Sequence, residues 1–174
     1  MKIRSSGAPV KTGTLPPHAL LSKYANAGAY TDCFIAEIGR AVSHAEFIEA
    51  FYTSPAFRLE RLVLGLFLAR PFSNAQAKQL AAGELSEVSA WRVEGRTANE
   101  LLMCDFLGRT RSWLMVIPTS EQSTCLYFGS AVVPRRGMVP PGVGLVSKAM
   151  HLFHLSYSRV LLDSARRRLE RGGS

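Results

Sequence analysis

Cysteine is scarce in this chain: Cys33, Cys104 and Cys125 are three, an odd number, widely spaced and without a CxxC pair. That excludes a disulfide-framework scaffold and argues against a structural zinc site. A reducing, cytoplasmic setting is the natural one for such a chain. Acidic residues are also in short supply, 13 against 21 basic ones, for a net charge of +8. The excess sits largely at the two ends. Lys2, Arg4, Lys11 and Lys23 precede the first acid, Asp32, and Arg166, Arg167, Arg168 and Arg171 crowd the last turns against Glu170. Cations at a helix C-terminus are favourable to its dipole, so a nucleic-acid partner is not expected. No apolar run approaches the roughly 20 residues that a bilayer span needs, so no integral membrane segment is expected. Met1 to Leu21 holds no apolar signal-peptide core. There is no GxSxG, Walker A or GxGxxG pattern and no internal repeat. No cofactor is therefore implied. Ser112 and Ser130 lie outside any nucleophile elbow.

What is present suits a single domain. The 174 residues are 47% hydrophobic, enough to bury roughly 70% of the unfolded surface. Residues 1–23 carry Gly7, Pro9, Gly13, Pro16 and Pro17 and read as a flexible arm ahead of one domain over 24–174. Tyr30 to Ile38 reads as a first strand. Ser43 with Glu46 has the capping-box spacing, and Phe47, Ile48 and Phe51 follow at helical intervals. Ser54-Pro55 restarts a second, apolar helix that runs toward Pro71. Asn74 to Ala82 reads as a short helix closed by Gly83. Four strands follow, Glu87 to Val93, Glu100 to Leu107, Thr110 to Ile117 and Thr124 to Val133. Turns at Glu94-Gly95, Gly108-Arg109 and Thr119 to Ser123 separate them, and such short links imply antiparallel neighbours. After a Pro/Gly-rich loop over 134–144, Leu145 to about Arg171 reads as the longest helix. Val146, Ala149, Met150, Phe153, Tyr157, Val160, Leu161 and Leu169 form its apolar side.

A helix of about 25 residues is roughly 38 Å long, and the sheet is the one element large enough to cover its apolar side. The expected class is thus α+β, a curved antiparallel sheet wrapped around a long C-terminal helix, with a helix pair after the first strand. That order resembles the helix-grip fold of START lipid-transfer domains, polyketide cyclases and plant pathogenesis-related allergens. Phe51-Tyr52-Thr53-Ser54-Pro55-Ala56-Phe57-Arg58-Leu59-Glu60-Arg61, Arg109 to Leu114, Leu126 to Val132 and His154 to Leu162 are similar to segments of an uncharacterised bacterial family associated with that superfamily. The resemblance implies a groove for an apolar ligand between sheet and helix. The chain departs from it in showing five strands, fewer than a full helix-grip sheet.

A two-residue turn at Gly108-Arg109 would pair Leu107 with Thr110. Asp105 then faces Ser112, Met103 faces Leu114, Cys104 faces Trp113, Leu102 faces Met115 and Phe106 faces Arg111. Both faces of this hairpin are apolar, whereas a singly covered sheet keeps one wet face. The second face must be covered too, by the first helices or by another copy of the chain, which makes a homodimer an expectation. Trp113, Met115, Cys104 and Leu102 are the bulkier set and are expected to face the long helix, with Trp91 and Tyr127 joining them. Phe153, Tyr157 and Ser158 are the expected helix side of the groove. Plain core packing is the other reading of these residues. His151 and His154 share one helix face, and either could act as acid or base with Asp105 as partner. They supply two ligands with no third at a metal-binding spacing, so no metal is expected. The readings of function are a groove for a small hydrophobic or amphipathic molecule, an enzyme of cyclase, dehydratase or hydrolase type, and a non-catalytic interaction subunit.

Overall fold

A computed structural model describes residues 9–58, 72–133 and 145–172, with side chains in the last stretch described from residue 156 onward. Its strands are β1 (Lys11–Thr12), β2 (Tyr30–Ile38), β3 (Glu87–Val88), β4 (Trp91–Arg96), β5 (Glu100–Asp105), β6 (Thr110–Ser120) and β7 (Ser123–Val132). They form one seven-stranded sheet in the order β1-β2-β7-β6-β5-β4-β3. Every pairing is antiparallel. The helices are α1 (Ser22–Asn26), α2 (His44–Tyr52), α3 (Asn74–Ala82) and the C-terminal α4 (Leu145–Gly172). The class is α+β.

Local signals set most of these bounds. Ser43 and Glu46 form a reciprocal capping box on α2. Ser73 and Gln76 do the same for α3, and Gly83 closes it in the left-handed region at φ 80°. Ser54 Oγ accepts from the Phe57 N–H at 3.3 Å, which starts the next helical turn. The rest of the expected second helix and the expected 134–144 loop lie outside the described residues.

The strand count differs from the expected five for two reasons. Residues 11–12 pair with β2, and the expected strand from Glu87 to Val93 folds back on itself. Ser89, at φ 52°, lets Val88 pair with Trp91 across a two-residue turn. The expected turn at Glu94-Gly95 is instead a bulge inside β4. The link to β5 comes later, where Thr97 Oγ1 accepts from the Glu100 N–H at 3.0 Å.

The β5–β6 turn is longer than two residues. Asp105 Oδ1 accepts from the N–H groups of Arg109 at 2.7 Å and Thr110 at 3.0 Å. Phe106 and Leu107 sit in the turn, exposed. Leu102 therefore pairs with Trp113 and Cys104 with Arg111, not with Met115 and Trp113. The slip is two residues, so the side chains keep their faces.

The faces themselves go the other way from expectation. The side bearing Phe34, Leu101, Met103, Leu114, Leu126 and Phe128 packs against Phe47, Phe51 and Leu80, and against Leu161, Leu162, Ala165 and Leu169 of α4. Buried positions along α4 fall at 158, 161, 162, 165, 166 and 169, one stripe at helical spacing. Val160, expected on that stripe, is 56% exposed. The side bearing Leu102, Trp113 and Met115 faces away from α4, under Ala19, Leu21, Leu15, Leu20 and Tyr24. Within residues 9–27, which partly overlap the expected arm, Leu15, Ala19, Leu20, Leu21 and Tyr24 thus form a strap packed on this face. This strap covers the second apolar face within one chain, which removes the reason for expecting a second copy there. Bulk did not decide between the faces, and the Trp113 indole finds its hydrogen-bond partner on its own side of the sheet. Its Nε1–H donates to Glu100 Oε2 at 2.7 Å, and the same oxygen accepts from the Leu20 N–H of the strap at 2.7 Å.

Close approach at Gly129 fixes how near the strap can come. A Cβ there would stand 2.8 Å from the Asp32 carbonyl oxygen, 2.9 Å from Leu21 Cδ2 and 3.0 Å from Trp113 Cε3. Gly129→Ala is expected to cost about 2 kcal/mol through overpacking. A urea titration reads it, and an unchanged midpoint would show that the strap yields freely.

Candidate functional site

The face under α4 is apolar along most of its length. Phe34, Phe128 and Leu114 form one cross-strand row, and Ala36, Leu126 and Val116 the next. At the other end of the same alternation the row is Asp32, Ser130 and Ser112. Polar side chains so placed meet the underside of α4, not water. Asp32 is 8% exposed and Ser130 3%. Asp32 Oδ1 accepts from the Ser130 N–H at 2.8 Å and from its hydroxyl at 2.9 Å.

Above this row lies a cavity of about 220 Å³ between the sheet, α2 and α4. Its walls are aromatic: Phe51, Tyr52 and Phe57 from α2 and the turn after it, Trp91 and Phe128 from the sheet, and Tyr157 from α4. The rings hold one another in place, with Phe51 and Phe128 centroids 4.9 Å apart and Tyr52 edge-on to Phe57 at 4.8 Å. Hydroxyls of Thr110, Ser112, Ser130 and Ser158 supply the polar part. Ser158 is 1% exposed, and its Oγ has no hydrogen-bond partner. A buried hydroxyl without a partner is costly.

Arg111 also borders the cavity. By alternation it belongs to the Trp113 face, and its guanidinium is engaged there. Its Nε lies 2.6 Å from Glu94 Oε2 and 2.7 Å from the Tyr24 hydroxyl, with the Tyr24 ring 4.6 Å away. The Tyr24 hydroxyl donates to Glu94, and Lys23 Nζ lies 2.6 Å from the same carboxylate. Burial works against the Glu94 charge, but hydrogen bonds from Lys23 and Tyr24, with Arg111 alongside, hold its carboxyl below the usual range.

A second, larger cleft of about 520 Å³ opens where the C-terminal turns of α4 meet α2. It is a surface trough lined by Arg40, Arg167, Arg168 and Arg171 and by Glu46 and Glu49. Arg40 bonds Glu46 at 3.1 Å and caps the Leu169 carbonyl at 3.3 Å, and Arg167 pairs with Asp163 at 2.7 Å. These charges serve the helix end. The smaller cavity, walled largely by rings and holding an unpartnered hydroxyl, is the better candidate.

Of the residues expected at a groove, Trp91, Tyr157 and Ser158 line the cavity. Leu102, Cys104, Trp113, Met115 and Tyr127 sit on or against the opposite face: the first four are buried, and Tyr127 lies edge-on to Trp113 at 6.2 Å. Asp105, expected as the acid/base partner, accepts two backbone N–H groups of its own turn through Oδ1. The side chains of His151, Phe153 and His154 lie outside the described residues. Sequence reasoning missed Asp32, Ser112 and Ser130 as a group, together with Phe51, Tyr52 and Phe57. One signal was available. Each of the three polar residues sits at a core-facing position of a strand whose next core-facing positions are apolar. Among the described residues no helix is long and apolar enough to cross a membrane, and no cluster of acids, histidines and cysteines could hold a metal. No family model, curated protein or solved structure matches the chain.

Proposed function

We propose that this protein binds a small amphipathic molecule in the cavity between its sheet and α4, in the manner that a helix-grip relationship would imply. The observation that carries this reading is the buried, unpartnered Ser158 hydroxyl in an aromatic-walled space of about 220 Å³. Sites for small molecules combine apolar walls with a few placed polar groups. An apolar cavity of about 150 Å³ takes up benzene, so this one suits a substituted single ring or a short chain of similar bulk. A bound polar atom would satisfy Ser158, and the rings would cover the rest. No comparable observation favours the acid/base reading, since Asp105 Oδ1 is bonded to its own turn.

Native mass spectrometry of protein freshly isolated from its source is the direct test. Bound mass of ring-sized, amphipathic character is expected, and it should vanish in a Ser158→Phe variant that stays folded. Bound mass that survives that filling would place the ligand elsewhere. Ser158→Ala gives a complementary readout. Removing an unsatisfied hydroxyl is expected to leave stability unchanged or raise it by up to about 1 kcal/mol. A loss of that size on thermal melting would instead mean that Ser158 already bonds within the protein.

A further inference from the structure

We infer that the trough where the last turns of α4 meet α2 is a second binding site, taking phosphate monoesters through Arg168 and Arg171. It is independent of the cavity under α4. The first support is how the charges of this helix end are shared out. The buried Arg166 holds Asp163 at 2.6 Å and Glu170 at 2.7 Å, and Arg167 takes the other oxygen of Asp163 at 2.7 Å. Both acids of these last turns are thereby used. Arg168 and Arg171 line the trough, exposed, and no acid among the described residues pairs with either. They stand three apart, and Arg167 and Arg171 four apart, so each has a like charge as its helix neighbour. Like charges at that spacing repel, and the pull of the helix C-terminus offsets part of the cost. An anion seated between them turns the repulsion into attraction.

The second support is shape. Side chains three apart on a helix have Cβ atoms about 5–6 Å from each other. Two guanidinium forks so placed can converge on one phosphate, each giving parallel N–H donors. A phosphate monoester offers three oxygens and close to two charges at neutral pH, which a carboxylate does not. The carbonyl end of α4 would repel an anion, but Arg40 donates to the Leu169 carbonyl at 3.3 Å and sets a cation there. The facing wall on α2 holds two carboxylates, and each already has a cation: Glu46 bonds Arg40 at 3.1 Å, and Glu49 has Lys78 at 4.0 Å. Ala50, Pro55 and Leu169 add apolar surface in a space of about 520 Å³, which leaves room for an organic body beside the phosphate.

The test is calorimetric titration of the full chain with phenyl phosphate and with benzoate, at one ionic strength set by sodium chloride. Phenyl phosphate is expected to bind, and benzoate at least tenfold more weakly. Arg168→Gln with Arg171→Gln should weaken phenyl phosphate at least tenfold, and each single change by a smaller factor. Both side chains are exposed, so the variants are expected to fold. Ser158→Phe should leave phenyl phosphate binding unchanged. Loss in that variant but not in the arginine variants would put the probe in the other cavity and overturn the inference. Equal affinity for the two probes in the unmodified chain overturns it too, and needs no variant. Sedimentation with phosphatidylcholine vesicles, with and without phosphatidic acid, then tells the source of the phosphate. Arginine-dependent binding to the phosphatidic acid vesicles supports the site with a lipid headgroup as its ligand. Binding of phenyl phosphate alone supports it with a soluble one.

Discussion

Glu100→Ala is expected to destabilise the protein by about 4 kcal/mol and to release residues 9–27 from the sheet. One carboxylate oxygen, Oε2, accepts from the Trp113 indole N–H and from the Leu20 backbone N–H, each at 2.7 Å. Trp113 is fully buried and Glu100 is 8% exposed. Truncation leaves two donors without an acceptor, the indole fully buried and the Leu20 N–H partly so, at about 1–3 kcal/mol each. Hydrogen bonds to an ionised group also lie at the strong end of the range. For a chain of this size about 4 kcal/mol corresponds to a fall of roughly 8–16 °C in the melting temperature. Glu100→Gln keeps one acceptor oxygen and should lose about half as much. Limited proteolysis separates this from general loosening. Cleavage in the strap should appear at temperatures where the rest of the chain stays resistant. Simultaneous cleavage throughout would show that the Glu100 bonds do not hold the strap as a unit.

The other large effect is acid sensitivity centred on His44. This residue opens α2 and is 8% exposed. Burial, with the Arg96 charge nearby, pushes its pKa down to about 4 from 6.5, against the pull of a hydrogen bond with the Leu114 backbone. A helix N-terminus also disfavours a cation. Its Nε2 is buried without a partner, so the native state holds the ring neutral. The unfolded chain takes up a proton below about pH 6.5, and the folded one does not until about pH 4. Unfolding therefore binds a proton in that window, and stability falls as pH drops from about 6.5 to about 4. Above about 6.5 the contribution is level. At about 1.4 kcal/mol per pKa unit the loss reaches about 3 kcal/mol. Urea titrations at about pH 7.5 and about pH 4.5 measure it. Carboxylates titrate in the lower part of that range too, so the informative quantity is the difference from His44→Gln. That variant should show a shallower acid loss, and an identical slope in both proteins would remove His44 as the cause.

Several features were legible in the residues themselves. The Ser43–Glu46 box, the Gly83 stop, the strand Tyr30–Ile38 and the helix from Leu145 each depend on neighbours a few positions away. The two misplaced turns fail for local reasons that composition does not display. Glu94-Gly95 has turn chemistry but is absorbed as a bulge, and Ser89 takes a left-handed conformation more usual for glycine. Gly108-Arg109 does lie in a turn, but the Asp105 carboxylate widens it by bonding two backbone N–H groups. Two apolar faces on one hairpin were also visible in its alternation. Which of them meets α4 was not, because alternation is symmetric between the two sides.

By itself, then, the sequence determined an α+β chain with antiparallel strands, two capped helix starts and a long C-terminal helix, since these follow from short-range periodicity and hydrogen bonding. Only the tertiary structure decided that residues 9–27 strap the Trp113 face, leaving α4 to the side of Phe128. Those contacts join positions as far apart as Leu20 and Glu100, which no short-range pattern relates. The cavity follows from the same choice. Asp32, Ser130 and Ser112 come from three separate strands, and they become a polar floor once the register is set and Ser158 is placed above them.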